Sequence, residues 1–243
     1  MNFKNLSLYK NWIIPVFFSL IFAFIFRSFI FQPFFIPSGS MIPTLLVGDY
    51  LFVSKFSYGF CKYSFPFHLF QMDNRFGSNR PERGDVVVFN GTVKGNMDYI
   101  KRVVGLPGDR IQLINGIVYI NYKPVELERI CNFIDNFGNI FPQYLETLPG
   151  GIVHKLIKIN KFGYSRFDNT SAVLIPDNYY FMMGDNRDNS SDSRDSINMG
   201  LIHENHLIGQ ANLIFFSISS NTFWKFWCWF ENIRFNRFLQ KIC

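Results

Sequence analysis

A long apolar run near the N terminus constrains the fold of this chain more than any other stretch of its sequence. Residues 13–26 carry no charged side chain. A helix over residues 12–31 would contain about 20 residues and reach ~30 Å, which is enough to cross a bilayer. Arg27 would then lie near one end, where its long side chain reaches the interface. We therefore predict a transmembrane helix over residues 12–31.

The charges before this run predict its orientation. Lys4 and Lys10 precede it, and the positive-inside rule then places residues 1–11 in the cytoplasm. Residues 32–243 follow on the extracytoplasmic face, so we expect a single-pass protein of the cytoplasmic (inner) membrane. A cleaved signal peptide is the alternative, but residues 32–36, where the run ends, contain no small-x-small cleavage site.

A rigid turn with small hydroxyl residues follows at residues 37–44, which read Pro-Ser-Gly-Ser-Met-Ile-Pro-Thr. Two prolines and a glycine prevent a helix there. A serine held in such a turn just outside an apolar segment suggests a nucleophile at a membrane surface. The competing interpretation is a polar linker at the membrane exit.

The rest of the chain alternates short apolar runs with turn residues, which predicts β-strands. Asn115 and Gly116 lie between alternating apolar positions and suit the type I′ turn of a hairpin. Turn formers interrupt residues 124–170, which we interpret as an inserted β-rich region. We therefore expect a mostly β domain after one helix. The predicted strands lie within residues 49–58, 86–89, 98–105, 110–121 (the hairpin), 179–183 and 207–217.

Charge and aromatic content favour a membrane surface over nucleic acid as a partner. The formal net charge is +6, and no dense block of Lys and Arg accompanies it. Much of the excess of Phe, 31 of 243 residues, lies near the two ends of the chain. Residues 223–241 combine Trp and Phe with Arg and Lys, as bilayer-interface segments do. We expect contact with membrane lipid and none with nucleic acid.

A serine nucleophile needs a base that removes its proton. We interpret the four histidines as solvated or structural, because none lies in a stretch that resembles part of a catalytic triad. Lys101 lies inside an apolar strand-like run, and burial lowers the pKa of a lysine. Its neutral amine would then act as a general base, as in Ser-Lys variants of the triad. The competing interpretation is a solvent-facing strand lysine beside Arg102.

Four motifs occur in order along the chain, at residues 37–45, 83–89, 98–109 and 184–194. The second reads Arg-Gly-Asp-Val-Val-Val-Phe, the third Asp-Tyr-Ile-Lys-Arg-Val-Val-Gly-Leu-Pro-Gly-Asp, and the fourth Gly-Asp-Asn-Arg-Asp-Asn-Ser-x-Asp-Ser-Arg. Together with the first, which is the serine turn extended by one leucine, they resemble the conserved boxes of bacterial type I signal peptidases. The resemblance runs from about Phe29 to Ala211.

The resemblance implies roles for single residues. Ser40 becomes the nucleophile and Lys101 the general base. Ser38, with the backbone N–H of Ser40, would form the oxyanion hole, and Ser190 would hydrogen-bond the lysine amine. The resemblance further implies an ion pair of Asp192 with Arg194, a supporting carboxylate at Asp185, and shallow substrate pockets formed by Ile36, Leu45, Val88 and Ile100.

The resemblance also implies a fold, a reaction and partners. The fold is an antiparallel β catalytic domain with barrel-like coiled sheets, beside whose strands the substrate binds in extended form. The reaction is removal of N-terminal signal peptides from secreted preproteins that carry small residues before the cut. Secretion machinery is expected nearby. The reaction requires no metal and no cofactor.

Three features depart from the family pattern. Residues 195–199 are inserted after Arg194, which changes the expectation for that loop. Many Gram-negative members have two N-terminal membrane helices, whereas this sequence shows one. A disulfide of some members has no evident pair here, and we expect free thiols at all four cysteines, which are Cys61, Cys131, Cys228 and Cys243.

Two other functions share part of this pattern. A self-cleaving repressor-type protease uses the same Ser-Lys pair, but the apolar N-terminal run and the loop at 184–194 argue against it. A membrane-anchored β-rich binding module without catalysis is the alternative from a different class. Such a module would be expected to lack the lysine or the serine.

Overall fold

The N-terminal helix is described over residues 12–23, and residues 24–30 of the predicted helix lie outside the described residues. A computed structural model describes residues 12–23, 31–61, 75–77, 79–91, 97–135, 137–219 and 232–242. Residues 12–23 are helical, and no helix within these ranges is long and apolar enough to cross a membrane. The prediction of a helix as far as Phe31 is wrong, because Phe31 begins a strand that pairs with residues 50–54.

Several predictions fall outside the described residues. They concern residues 1–11, most of the aromatic loop at 60–79, much of the segment 223–241, and the residues His68, Cys228 and Cys243. Of the remaining cysteines, Cys61 is buried and its Sγ donates to the Leu207 carbonyl, whereas Cys131 is an exposed thiol.

The described chain is mostly β, as the sequence predicts, and its strands pair in antiparallel fashion. The strands are β1 Phe31–Phe35, β2 Asp49–Ser54, β3 Val86–Gly91, β4 Met97–Gly105, β5 Arg110–Ile114, β6 Ile117–Ile120, β7 Lys123–Pro124, β8 Glu126–Arg129, β9 Phe133–Ile134, β10 Ile140–Phe141, β11 Gln143–Leu148, β12 Ile152–Ile157, β13 Val173–Leu174, β14 Tyr179–Met183, β15 Ile202–His203, β16 Leu207–Ser217 and β17 Gln240–Lys241.

The largest sheet has the order β1-β2-β16-β3-β4-β14-β15, with β17 attached to β16. Its edge strands, β1 and β15, do not pair with each other within the described residues. The barrel implied by the resemblance is therefore not closed: β1 pairs with β2 alone, and β15 is only two residues long. The serine turn joins β1 to β2 at one edge of this sheet.

Smaller sheets extend this framework. The predicted hairpin is formed by β5 and β6, and its turn residues Asn115 and Gly116 have φ angles of 49° and 77°, as a type I′ turn requires. The hairpin belongs to a sheet with the order β13-β5-β6-β7. Residues 124–170 contain the three-stranded sheet β12-β11-β8 and the pair β10-β9.

Alternation along β3 places its side chains in two different clusters of the core, because successive strand residues face opposite sides of a sheet. Val86 and Val88 pack into one buried cluster with Leu45, which comes from the serine turn. Val87 and Phe89 pack into another cluster on the other side. Burial of an aliphatic side chain contributes about 1.5–3 kcal/mol, so the turn is held to the sheet by its own apolar residues.

The C-terminal segment packs against the base of the serine turn. Asp49, which is fully buried, pairs with Arg237 at 2.6 Å and lies 3.5 Å from Arg234. Ser217 Oγ also donates to this carboxylate at 2.6 Å. Two arginines that the sequence assigns to a bilayer interface thus neutralise an internal charge, since a buried carboxylate without a cation is strongly unfavourable.

Gly48 offers a test of how tightly the turn is joined to the sheet. Its φ is +91°, and a Cβ there would lie 1.9 Å from the Ile218 carbonyl oxygen. Gly108 has a similar φ of +85°, with open space around it. We expect Gly108→Ala to cost about 1–2 kcal/mol through its backbone conformation alone. Gly48→Ala should lower the midpoint of thermal unfolding clearly further, and equal shifts would contradict this packing.

Candidate active site

The loop between β1 and β2 carries Ser40. Its base is closed where the Ile36 N–H donates to the Asp49 carbonyl at 2.9 Å. Within the loop, the Leu45 N–H donates to the Met41 carbonyl at 3.0 Å, and both of these side chains are buried. The hydrogen bond at its base and the buried side chains of Met41 and Leu45 therefore fix the loop. Ser40 is only 8% exposed.

Lys101 reaches this serine from the middle of β4. Its Nζ donates to Ser40 Oγ at 2.7 Å and to the Ile100 carbonyl at 2.9 Å. The lysine is only 3% exposed. The solvent-facing interpretation of Lys101 is thus wrong, because the strand directs the amine inward onto the serine.

Burial controls the protonation of this amine. It lowers the pKa of Lys101 from 10.5 to about 8, because an ammonium group loses its hydration in the protein interior. The carboxylates of Asp192 and Asp185 oppose this effect, and the Arg194 guanidinium adds to it. Each of the two carboxylates is itself paired with an arginine, so desolvation prevails.

Asp185 links the serine loop to β4. Arg102 binds its carboxylate through Nε at 2.9 Å and Nη2 at 2.8 Å, and Thr44 Oγ1 donates to the same group. Burial raises the pKa of Asp185, but the adjacent Arg102 outweighs burial and the pKa is lowered. The carboxylate therefore stays charged. Sequence reasoning missed Arg102, although an arginine inside an apolar strand signals a buried carboxylate partner.

Asp192 and Arg194 form the ion pair that the resemblance implies. Arg194 Nε and Nη2 lie 2.8 and 2.7 Å from the two carboxylate oxygens. Asp192 also accepts the Gly184 N–H at 3.0 Å, and Arg194 donates to the Arg187 carbonyl. This pair closes residues 184–194 into a compact loop beside the serine.

Ser190 lies in that loop, but Lys101 Nζ donates to Ser40 Oγ and to the Ile100 carbonyl rather than to it. The Ser190 hydroxyl is buried and faces Asp192, where its hydrogen bond helps to lower the pKa of that carboxyl group. Gly184 lies between the hydroxyl and the Ser40 carbonyl: a Cβ on this glycine would lie 2.2 Å from Ser190 Oγ. Ser38 is exposed, two residues before Ser40.

A second buried charge cluster lies behind Asp185, and sequence reasoning missed it. Arg187 binds both carboxylate oxygens of Glu146 in β11. His154 in β12 lies 3.3 Å from Glu146 and 3.9 Å from Asp185. Burial, and next to it the Arg102 guanidinium, lower the pKa of His154 from 6.5 to about 4, so this histidine is neutral near pH 7. It is structural, as the sequence suggests.

The four predicted pocket residues meet in one apolar cluster next to the serine loop. Ile36, Leu45 and Val88 are buried in it, and Ile100 is half-buried and packs against it. The described residues include no group of three His, Cys, Asp or Glu side chains placed to hold a metal ion.

The insertion at residues 195–199 forms a turn that leaves the ion pair intact. The Asp195 carbonyl accepts the Met199 N–H at 2.9 Å, and the Asp195 carboxylate accepts from Asn198. Met199 is buried in the cluster that contains Val87. Met199 therefore packs on the other side of the sheet from the pocket cluster, whereas Ile197 is exposed.

Comparison with known proteins decides the family. A model of signal peptidases, described as peptidase S26, matches residues 9–216. Signal peptidase I of Rickettsia typhi is 38% identical over 237 residues, which cover 90% of this chain and 89% of that protein. Signal peptidase I of Rickettsia prowazekii is 38% identical over 239 residues, with the same coverage. The chain belongs to the peptidase S26 family of signal peptidases.

The family confirms the resemblance carried by the four motifs, all of which lie within the matched residues. It is a family of peptidases that cleave signal peptides from preproteins, so the predicted enzyme class and reaction are also confirmed. A crystal structure of a signal peptidase I from Enterococcus faecalis is 21% identical, with a TM-score of 0.34, and covers 54% of this chain and 97% of that one.

Gly184 tests whether the loop at 184–194 positions the serine. A Cβ at this position would lie 2.5 Å from the Ser40 carbonyl oxygen, so Gly184→Ala must displace the backbone of the serine loop. We expect kcat/KM for a preprotein to fall by about 100-fold, as displacements of about 1 Å do.

Gly105→Ala is the matched control for this prediction. A Cβ on Gly105 would lie 2.5 Å from the Ile175 side chain in the core, away from Ser40. This variant should lose stability and keep its activity per folded molecule. If both variants lost activity only in proportion to folded protein, the positioning role of the loop would be contradicted.

Proposed function

We propose that this chain removes N-terminal signal peptides from secreted preproteins with Ser40 as the nucleophile and Lys101 as the general base. The 2.7 Å contact between Nζ and Oγ carries the proposal. At a pKa of about 8, about one amine in ten is neutral at pH 7. At the ordinary pKa of a lysine, only about one in 3,000 would be.

Acylation begins when neutral Lys101 takes the hydroxyl proton of Ser40. The Oγ forms a bond to the scissile carbonyl carbon, and the carbonyl oxygen becomes an oxyanion. The Ser38 hydroxyl and the Ser40 N–H donate hydrogen bonds to this oxyanion. When the intermediate collapses, the C–N bond breaks, and the ammonium of Lys101 gives its proton to the amine of the departing mature chain.

Deacylation uses the same groups with water. Neutral Lys101 takes a proton from a water molecule, whose oxygen attacks the ester carbon on Ser40. The oxyanion forms again and collapses, the ester C–O bond breaks, and the proton on Lys101 returns to Ser40 Oγ. The signal peptide leaves with a new carboxyl group, which loses its proton to solvent and becomes a carboxylate. No step in this sequence requires a metal or a cofactor.

Two observations support the proposed oxyanion hole. Among the described residues, the Ser40 N–H donates to no backbone carbonyl, so this donor is available to substrate. Ser38 is exposed and lies at the mouth of the same loop. A donor that is already oriented needs no rearrangement as charge develops, which is the source of its catalytic value.

The loop at 184–194 supplies the proposed supporting residues. Asp185 holds the serine loop through Thr44, and the pair of Asp192 with Arg194 holds the loop itself. The buried hydroxyl of Ser190 lies beside Gly184 in this loop, and we propose that it hydrogen-bonds the amine of Lys101 during the reaction. In this role Ser190 directs the amine after it leaves the Ser40 hydroxyl.

The cluster of Ile36, Leu45, Val88 and Ile100 is proposed to form the walls of shallow substrate pockets. Three of its members are buried apolar residues and Ile100 packs against them, and we propose that the pockets accept small side chains one and three residues before the cut. The substrate would bind in extended form beside the strands that carry these residues. Secretion machinery that delivers such extended chains is the expected neighbour.

Membrane contact is proposed on the aromatic face of β1, β2 and β16. Phe52 stacks on Phe215 at 4.2 Å between ring centroids, and Phe31 lies 5.9 Å from Phe52. Strand β1 directly follows the proposed membrane anchor, and β2 and β16 are the next two strands in the sheet. We propose a single-pass arrangement with residues 1–11 inside and the catalytic domain outside, supported by Lys4 and Lys10 and by aromatic residues that favour interfaces.

The mechanism is tested with the purified full-length chain and a secretory preprotein. Ser40→Ala removes the nucleophile and Lys101→Ala removes the base, so each variant should cleave at least about 1,000-fold more slowly than the unmodified chain. Ser171→Ala and Lys155→Ala are matched controls, because both side chains are exposed. The controls should cleave at the unmodified rate.

Two outcomes would contradict the proposal. Cleavage by either dyad variant at the unmodified rate would show that Ser40 and Lys101 are not the reacting pair. Binding of the preprotein without cleavage by the unmodified chain would favour the alternative, a membrane-anchored β-rich binding module. Mass spectrometry of the products locates the cut in the same experiment.

A further inference from the structure

Asn186 hydrogen-bonds to the backbone on both sides of the proposed nucleophile. Its side-chain Nδ2 donates to the Gly39 carbonyl at 3.0 Å, and its backbone N–H donates to the Ser40 carbonyl at 3.1 Å. The residue is 4% exposed. The two bonds therefore act on the peptide units that precede and follow Ser40.

The first of these bonds acts on the peptide unit that contains the proposed oxyanion donor. The Gly39 carbonyl and the Ser40 N–H belong to the same planar peptide, in which the C=O and the N–H point in opposite directions. A donor that fixes the direction of the Gly39 carbonyl therefore fixes the direction of the Ser40 N–H. A hydrogen bond to the carbonyl also polarises the N–H and strengthens its own hydrogen bond.

The position of Asn186 is determined outside the serine loop. The Ile157 N–H donates to the Asp185 carbonyl at 3.0 Å, and the Arg187 N–H donates to the Ile157 carbonyl at 3.1 Å. Asn186 is thus held between these bonds in a parallel bridge to the end of β12. The bonds to β12 therefore determine where the side-chain amide of Asn186 points, and the serine loop takes its conformation against this amide.

Only the donor end of the Asn186 amide is used. Its Oδ1 is buried without a hydrogen-bond partner among the described residues. Buried polar atoms are usually paired, and an unpaired one is unfavourable by about 1–3 kcal/mol. The Gly39 carbonyl already accepts the Ile42 N–H at 3.2 Å, so the loop does not need the amide for a first partner. The hydrogen bond from Asn186 is therefore a second one to the Gly39 carbonyl, and its effect is to fix the orientation of that carbonyl.

We propose that Asn186 is a positioning residue for the oxyanion hole: it orients and polarises the Gly39–Ser40 peptide so that the Ser40 N–H points at the scissile carbonyl oxygen. This inference rests on the proposed function of Ser40. Asn186 touches no reacting atom itself and acts through the peptide. Its effect should therefore fall on the transition state and leave substrate binding unchanged.

The test uses Asn186→Asp and Asn186→Ala in the full-length chain. The aspartate keeps the size of the side chain and loses the donor, whereas the alanine keeps only the backbone bond to Ser40. Loss of a direct oxyanion donor costs about 100- to 1,000-fold in kcat, so loss of its orientation should cost about 10- to 100-fold. KM for a preprotein should stay within about twofold, since the lost interaction is made in the transition state.

A peptide aldehyde that ends in Ala provides a second readout. It forms a tetrahedral adduct on a serine, whose oxygen occupies the oxyanion hole. If Asn186 orients the donor, the inhibition constant of the aldehyde should rise by the same factor as kcat/KM falls. Displacement of the substrate cleft would instead raise KM. Because two variants are used, the failure of one to fold leaves the other as the test.

Asn90→Ala and Ser40→Ala are the controls. Asn90 is also buried, and its Nδ2 donates to Asp98 at 3.0 Å away from the serine, so this variant matches the loss of one amide hydrogen bond. It should keep its kcat. If Ser40→Ala is inactive and the folded Asn186 variants keep their kcat, the inference is overturned and the proposed function stands. If Ser40→Ala remains active, both are overturned.

Discussion

The buried carboxylate of Asp185 joins parts of the chain that are far apart in sequence. It binds Arg102 in β4 and accepts from Thr44 in the serine loop, while its own backbone carbonyl accepts from β12. Removal of one partner from a buried ion pair costs about 3–5 kcal/mol, so the carboxylate and its arginine depend on each other. Arg102 follows Lys101 and Thr44 lies four residues after Ser40, so the same contact aligns the amine with the hydroxyl.

In this arrangement the ionised side chains that stabilise the site are distinct from the lysine amine that reacts. Asp185 and Asp192 are each paired with an arginine and stay ionised. Their fields at Lys101 are partly cancelled by those arginines, and burial dominates the pKa of the amine. A lysine between unpaired carboxylates would be held in its charged form and could not accept a proton. The ion pairs therefore leave the amine free to be neutral.

Local patterns predicted much of the fold, and motif order predicted the meeting of distant residues. Alternation and turn residues located most strands of the main sheet and the hairpin at Asn115–Gly116. They failed at β1, because a short apolar run does not distinguish the end of a helix from a strand. No spacing rule brings Ser40 to Lys101 across 61 residues. Their meeting was anticipated from lysine chemistry and the four motifs together.

The partners of buried charges could not be read from the sequence. Arg102 reaches Asp185 from β4. Glu146 and His154 reach Arg187 and Asp185 through the packing of the β11–β12 hairpin against the loop at 184–194. Composition assigned Arg234 and Arg237 to a lipid interface, whereas in the structure both pair with the buried carboxylate of Asp49. In each case tertiary packing determines the ion-pair partner, and local sequence patterns do not predict it.

The protonation of Lys101 is the central claim, and its amine can be titrated directly. In the full-length chain labelled with ¹³Cε-lysine, one NMR resonance should titrate near pH 8, and it should be absent from the spectrum of Lys101→Met. The ordinary pKa of a lysine side chain, about 10.4, provides the reference. A Lys101 resonance that titrates near that ordinary value would contradict the account, because the amine would then be charged at neutral pH and could not activate Ser40.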